Sequence, residues 1–334
     1  MGLVAALDRT QRRHSVLGLP IGIFYKYADD QGNYLAATIT YYAFIAIFPL
    51  LLLGSSILGF FLQNNPDLAQ NILDSALANF PIVGDQLGRP GGLKGSVAGV
   101  VVGALAALYG SLGLGQALQN AMNVAWSVPR NRRPNPFSLR LRSMLLVFTS
   151  GFAILGLATL SALGTNTKAF GAQAGDWLAW VVRLVTVLAT AGVLTLIFRI
   201  AAARRHHLKA APGAFATAVM WQGLQVVGAW YVDRVINRAS GMNATFALVL
   251  GLIGLIYIAA MMGVLGIEVN VVLERQLWPR SLASLFVDNT DLTPADQRAY
   301  AGYARSQRHK SISSIDVSFT DPDTGEIEIP EEKL

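Results

Sequence analysis

The chain has 334 residues, of which 53% are apolar and only 14% charged, against about a quarter charged in an ordinary soluble domain. A water-soluble globule of this size cannot clothe its surface with so little charge. The net charge of +6 is not a nucleic-acid footprint, because the basic residues fall in blocks between apolar segments. Cysteine is absent, which excludes disulfides and thiolate metal sites.

Near the start, Pro20 to Asp30 predicts a short helix with Ile21, Phe24, Tyr25 and Ala28 on one face. An apolar stripe just ahead of a long apolar segment points to a helix lying in the cytoplasmic interface. Six segments then follow, each long enough to cross about 30 Å of hydrocarbon. They are Ala36–Leu62, Gly95–Leu118, Met144–Gly164, Trp177–Ile200, Pro212–Val232 and Ala244–Leu273. The first, second, third and fifth carry no Asp, Glu, Lys or Arg, the fourth contains Arg183, and the sixth is uncharged until Glu268. Backbone groups in lipid must be satisfied within the segment, so these are helices. The expected fold is all-α: a polytopic membrane bundle of six transmembrane helices with short interfacial amphipathic helices. Its parts are a cytoplasmic segment (1–35), the bundle (36–280) and a cytoplasmic tail (281–334).

The loops set the orientation. Arg9, Arg12, Arg13 and Lys26 precede the first span. Arg130, Arg132, Arg133, Arg140 and Arg142 separate the second from the third, and Arg199, Arg204, Arg205 and Lys209 flank the junction of the fourth and fifth. The alternate loops hold only Arg89 and Lys94, then Lys168, then Arg234 and Arg238. Lys and Arg accumulate on the cytoplasmic side, so both termini are expected there. In the first outer loop Asn65 and Pro66 can open a helix whose stripe is Leu68, Ile72, Leu73, Ala76 and Phe80. In the tail, Thr293-Pro294 opens a polar helix to about His309, and Ser311 to Leu334 reads as disorder.

Polar residues inside apolar spans are the candidates for function. Thr38, Thr40, Tyr41 and Tyr42 crowd the cytoplasmic half of span one, which Pro49 should kink. Arg183 shares a stripe with Thr186 and Thr190. It costs about 2.5–3.5 kcal/mol to insert, and either snorkels to the outer headgroups or faces a substrate. Gln222 and Gln225 share one face of span five, as interhelical glue or as the lining of a route. Glu268, with Asn270 and Glu274 beyond it, is either a proton or ion site or the partner of a loop arginine. Gly99 and Gly103 form a G-x-x-x-G that allows close packing, within one chain or in a homo-oligomer. His14, His206, His207 and His309 lie in loops without metal-ligand spacing, and no Walker loop or nucleophile elbow is present. No cofactor, metal or catalytic residue is expected.

Span one reads YLAATITYYAFIAIFPLLLL, which resembles the opening signature of the YihY/BrkB family of bacterial inner-membrane proteins on Ala36, Ala37, Tyr41, Tyr42, Pro49, Leu50 and Leu51. Asn123 and Trp126 match the family's N-x-x-W element, and Gly266, Glu268 and Asn270 its G-A-E-x-N element. Ile267 stands where the family has Ala, and Tyr257 where it usually has tryptophan. The resemblance covers about Pro20 to Leu282. It implies six spans in the plasma membrane and three descriptions of function: a ribonuclease, a virulence or serum-resistance factor, and an exporter of lipid-like envelope precursors. Nuclease chemistry needs clustered carboxylates or histidines that hold metal, which this chain lacks, and nucleic acid is not an expected partner. The expectation is a transporter or flippase-like exporter of a lipid or other amphiphilic envelope component, its route lined by Thr40, Tyr41, Arg183, Gln222, Gln225 and Glu268. Membrane lipids are its partners. The alternative is a non-transporting scaffold for envelope assembly.

Overall fold

The structure is a computed structural model that describes residues 2–61, 97–165, 176–203, 211–236, 242–284, 286–287, 291–321 and 325–328. The helix expected from Asn65 to Phe80 lies outside the described residues, as do the side chains of Pro49 and Arg183. Among the described residues the fold is all-α apart from one hairpin. Three helices are short: α1 (Gly2–Arg13), α2 (Ser15–Asp29) and α9 (Pro294–Ser306). Six are long: α3 (Gly32–Phe61), α4 (Val97–Ala125), α5 (Pro136–Thr165), α6 (Asp176–Ala201), α7 (Ala211–Tyr231) and α8 (Met242–Arg275). These six overlap the six expected segments, with ends that differ by one to eight residues. Helix α1 was not among the expected elements, although Leu3, Val4 and Leu7 fall at helical spacing in it.

Local sequence explains where helices start. Proline opens α5 and α9 and stands second in α7, positions where its missing N–H removes a donor that has no partner anyway. Asn135 caps α5, its Oδ1 accepting from Ser138 N at 2.8 Å. Thr293 and Asp296 form a reciprocal capping box on α9. Helix α3 continues through Pro49 to Phe61.

The long helices form a closed ring: each packs on the next in sequence, and α8 returns to α3. Side-chain pairings show that neighbours run antiparallel. Gln119 of α4 reaches Ser143 of α5 at 2.9 Å, and Arg142 at the start of α5 reaches the Ala202 carbonyl just past the end of α6 at 3.1 Å. Asn270 near the end of α8 meets Gly213 at the start of α7, while Tyr231 at the end of α7 bonds Ala247 O at 3.0 Å. One end of the ring, the basal end, therefore gathers α1, α2, α9 and the last turns of α4, α6 and α8. The main apolar core is there, built on Met122, Leu146, Phe198, Ile267, Val271 and Leu277. A smaller cluster about Leu252 joins α8 to Phe44 and Ile47 of α3.

The outside of the ring is apolar. Phe148, Phe152, Val226 and Leu250 are 66%, 73%, 70% and 64% exposed. Leu184–Ala201 and Phe246–Arg275 are long and apolar enough to cross a bilayer, and only 17% and 22% of those stretches is buried. A core helix of a soluble protein would be mostly buried, whereas exposed leucine and phenylalanine on this scale need an apolar solvent.

Two expectations need amending. Helix α2 turns Gly18, Gly22, Tyr25, Lys26 and the following Asp30 inward, packs Leu19 and Ile23 on the main core, and leaves Leu17 and Phe24 half or more exposed, so the expected apolar stripe is split between protein and surface. Within the stretch read as disordered, Ser318–Asp321 (β1) pairs antiparallel with Gly325–Glu328 (β2), Phe319 opposite Ile327.

Candidate functional site

Residues 18, 22, 26 and 30 recur every four positions, so they stack on one face of α2 and its C-terminal turn. The two glycines let the chain after α8 lie directly on this face, with the Leu277 carbonyl 2.9 Å from where a Gly22 Cβ would sit. One turn further along, the same face presents Lys26 to α8. Lys26 is 1% exposed and pairs with Asp30. Its Nζ also lies 3.7 Å from Glu268 Oε2 and 5.0 Å from the Tyr303 ring centre. Glu268 is fully buried, and neither of its carboxylate oxygens accepts a hydrogen bond. The expected partner, a loop arginine, is replaced by this lysine of α2.

Arg280 forms the second half of the hub. It is fully buried; its Nε bonds Asp296, its Nη2 reaches Asp29 Oδ2 at 2.8 Å, and the rings of Tyr25 and Tyr300 flank it at 5.8 and 5.4 Å. Asp296 also accepts from the backbone N–H groups of Ser281 and Thr293, both at 2.9 Å. From α1, Gln11 donates to the Arg280 carbonyl at 2.5 Å, and Asp8 accepts from Leu282 N at 2.9 Å. The segment expected to begin a cytoplasmic tail thus supplies Asp296 to the centre of the basal end.

Burial and charge move the titrations of these groups. Burial raises Asp29 above the usual carboxylate range despite the Arg280 charge beside it. Burial alone would lower Arg280, but Asp296 and Asp29 outweigh it and the guanidinium ends up raised. Tyr303 is pushed well up, by burial first and then by Asp30, Asp29 and Glu268. Tyr27, which donates to Asn33 Oδ1 at 2.9 Å, is pushed from 10.0 up to about 12 by burial, Tyr257 and Glu268. A folded state that holds a phenol proton more tightly than the unfolded chain is stabilised below the unfolded value. It loses that stability as pH climbs toward the folded one. Melting temperature should therefore fall between pH 10 and about 12, and Tyr27→Phe should flatten that decline; an unchanged slope in thermal scans would contradict the assignment.

The 266–270 stretch works on two faces. Gly266 and Asn270, four apart, look at α7, and Glu268 between them looks at α2. Asn270 Oδ1 accepts from Gly213 N at 2.8 Å, satisfying a donor that the first turn of α7 leaves unpaired. Helices α7 and α8 approach so closely that a Cβ on Gly213 would stand 1.8 Å from the Gly266 carbonyl.

Of the residues expected along a route whose side chains are described, Glu268 enters the hub and Thr40, Tyr41, Gln222 and Gln225 do not join it. Thr40 is buried but spends its hydroxyl on the Ala36 carbonyl at 2.7 Å. Tyr41 is 57% exposed rather than buried, and Gln222 and Gln225 are half-buried on α7. Ala37 is exposed, and the Tyr42 ring packs where Gly113 leaves room. Asn123 is buried. Trp126 lines a small recess of about 30 Å³ with Ser127, Val128, Pro129, Ala202, Ala203 and Arg275. Arg275 bonds the Trp126 carbonyl at 2.6 Å.

The virulence factor BrkB family model matches residues 23–284. An uncharacterized protein of Dickeya dadantii (strain 3937) is 25% identical over 258 residues, covering 70% of this chain and 76% of that protein. No solved structure matches the chain. The matched region holds Lys26, Asp29, Asp30, Glu268 and Arg280, whereas Asp296 and α1 lie beyond it. The motifs of span one, the 123–126 turn and the 266–270 stretch all fall within it, and the apolar exterior is that of a membrane protein: the chain belongs to the virulence factor BrkB family.

Proposed function

We propose that this protein crosses the bacterial inner membrane six times with both ends in the cytoplasm, and moves a lipid or other amphiphilic envelope component across it. The carrying observation is the fully buried Lys26–Glu268 pair where α2 closes the basal end of the helix ring. A buried ion pair is a poor stabiliser, since desolvation offsets its attraction, and a charge kept inside a lipid-embedded bundle points to a pathway or gate. In this reading the hub is the cytoplasmic closure, and Thr40, Tyr41, Gln222, Gln225 and, from the outer side, Arg183 border the route. Arg130, Arg132, Arg133, Arg140 and Arg142 lie in the turn and first helical residues between α4 and α5 at the basal end, which suits a cytoplasmic face.

The test is movement of fluorescent anionic lipid across proteoliposomes that contain the full chain. Glu268→Gln and Lys26→Met should change the rate about tenfold or more, the effect of ~1.4 kcal/mol on a gating barrier; Gln222→Leu and Arg183→Ala should slow it. Rates equal to protein-free vesicles in the wild type would remove the transport reading. Loss of cellular function on deleting 311–334, with the hub variants intact, would favour the scaffold.

A further inference from the structure

We infer that Asp30, Lys26 and Glu268 form a proton-binding site, in which the two carboxyl groups hold one proton between them beside a single ammonium. The geometry supplies the argument. Lys26 is within 4 Å of both carboxylates, and it donates a hydrogen bond to Asp30 while approaching Glu268 only to 3.7 Å. All three side chains are at least 94% buried. Fully ionised, the triad would keep one uncompensated negative charge out of water, on a Glu268 carboxylate that accepts no hydrogen bond. That is among the costliest arrangements a protein interior can hold.

Among the described residues no neighbouring element supplies the missing positive charge. Helix α2 adds Tyr27 and Asp29, and α9 adds Tyr303, all of them neutral or negative. Helix α8 adds Tyr257, which acts on Tyr27. The nearby cation, Arg280, already faces Asp29 and Asp296. Among the described residues no group of three or more Asp, Glu, His or Cys is arranged to hold a metal ion. A proton on one of four carboxyl oxygens is the smallest ligand that neutralises the site, and two carboxyls facing each other across one cation share it as a pair. Its release to water leaves a full negative charge between α2 and α8, next to the left-handed turn at Gln31 (φ 54°) that joins α2 to α3. Proton occupancy therefore sets how tightly Lys26 is drawn from Asp30 toward Glu268, whatever the ring carries.

Infrared difference spectroscopy of the full chain in lipid nanodiscs reads this directly, because a carboxylic acid has a C=O stretch that a carboxylate lacks. The wild type at neutral pH should show such a band, shifted in D2O. Glu268→Gln and Asp30→Asn should each abolish it, since either leaves one carboxylate alone with Lys26; Lys26→Met should enlarge it. No wild-type band, or a band that survives both carboxyl substitutions, overturns the inference. Should either variant fail to fold, Glu268→Asp must move the wild-type band without removing it, and an unmoved band overturns the inference equally. Absence of lipid movement with the band present would sink the transport proposal alone.

Discussion

Arg280→Met should lower stability by about 3–5 kcal/mol, the usual cost of removing one partner from a buried ion pair. The thermal midpoint of the detergent-purified protein should fall accordingly. The loss is large because one side chain serves two carboxylates on different elements, Asp29 at the end of α2 and Asp296 in the first turn of α9. Methionine fills most of the volume and restores none of the charge. Asp296 would keep its backbone donors at Ser281 and Thr293, whereas Asp29 would be left with the Tyr303 hydroxyl at 3.5 Å. Arg280→Lys should recover only part, because an ammonium cannot hold two carboxylates in a planar fork. Asp29→Asn on top of Arg280→Met should cost less than the two single changes added together, the sign of a coupled pair. Additive effects, or a midpoint for Arg280→Met within a degree or two of wild type, would show that Arg280 does not organise the basal end.

The long helices were legible because a run of about 20 residues with no charge to desolvate stands out in a sequence. Each of the six expected segments overlaps a long helix, and the largest differences are outward, as from Met144 to Pro136 in α5, because a helix continues past the point where its sequence becomes charged. Glu268 stood out for the same reason. Its partners did not. Lys26 and Arg280 look like the ordinary basic complement of a cytoplasmic face, and Asp29, Asp30 and Asp296 look like solvated acids; what distinguishes them is burial, which depends on helices far apart in sequence meeting. One local signal was available in the four-residue spacing of Gly18, Gly22, Lys26 and Asp30, a small-residue face that ends in charge. Tyr41 differs in the opposite sense: expected to be buried, it is 57% exposed, since a tyrosine carries a polar hydroxyl on an apolar ring and suits a surface as well as a core. The hairpin was missed because four-residue strands give too few alternations to stand out in an acidic, Ser/Thr-rich tail.

Gly213→Ala adds one methyl group and should still be among the most damaging substitutions in the chain. That carbon would stand 1.8 Å from the Gly266 carbonyl and 2.7 Å from the Asn270 carboxamide, well inside contact distance for both. The first of these is backbone of α8 and cannot swing aside, so α7 and α8 must separate. Separation also breaks the Asn270 bond to Gly213 N and the reach of Thr217 to the Met262 carbonyl at 3.4 Å. Overpacking typically costs about 1–3 kcal/mol and loss of a helix cap about 1, so a loss of about 2–4 kcal/mol is expected. Gly223→Ala on the same helix is the control: nothing lies within 4 Å of its Cβ position, and alanine there should be neutral or stabilising by up to about 1 kcal/mol. In denaturation of the two variants side by side, the contrast between one methyl group at 213 and the same methyl at 223 isolates the contact between α7 and α8 from helix propensity and hydrophobicity, which the substitutions share. Equal stability of the two would mean that the helices do not approach as closely as the Gly213–Gly266 crossing requires, and that Glu268, carried on the opposite face of the same turn, is not held against Lys26 by that packing.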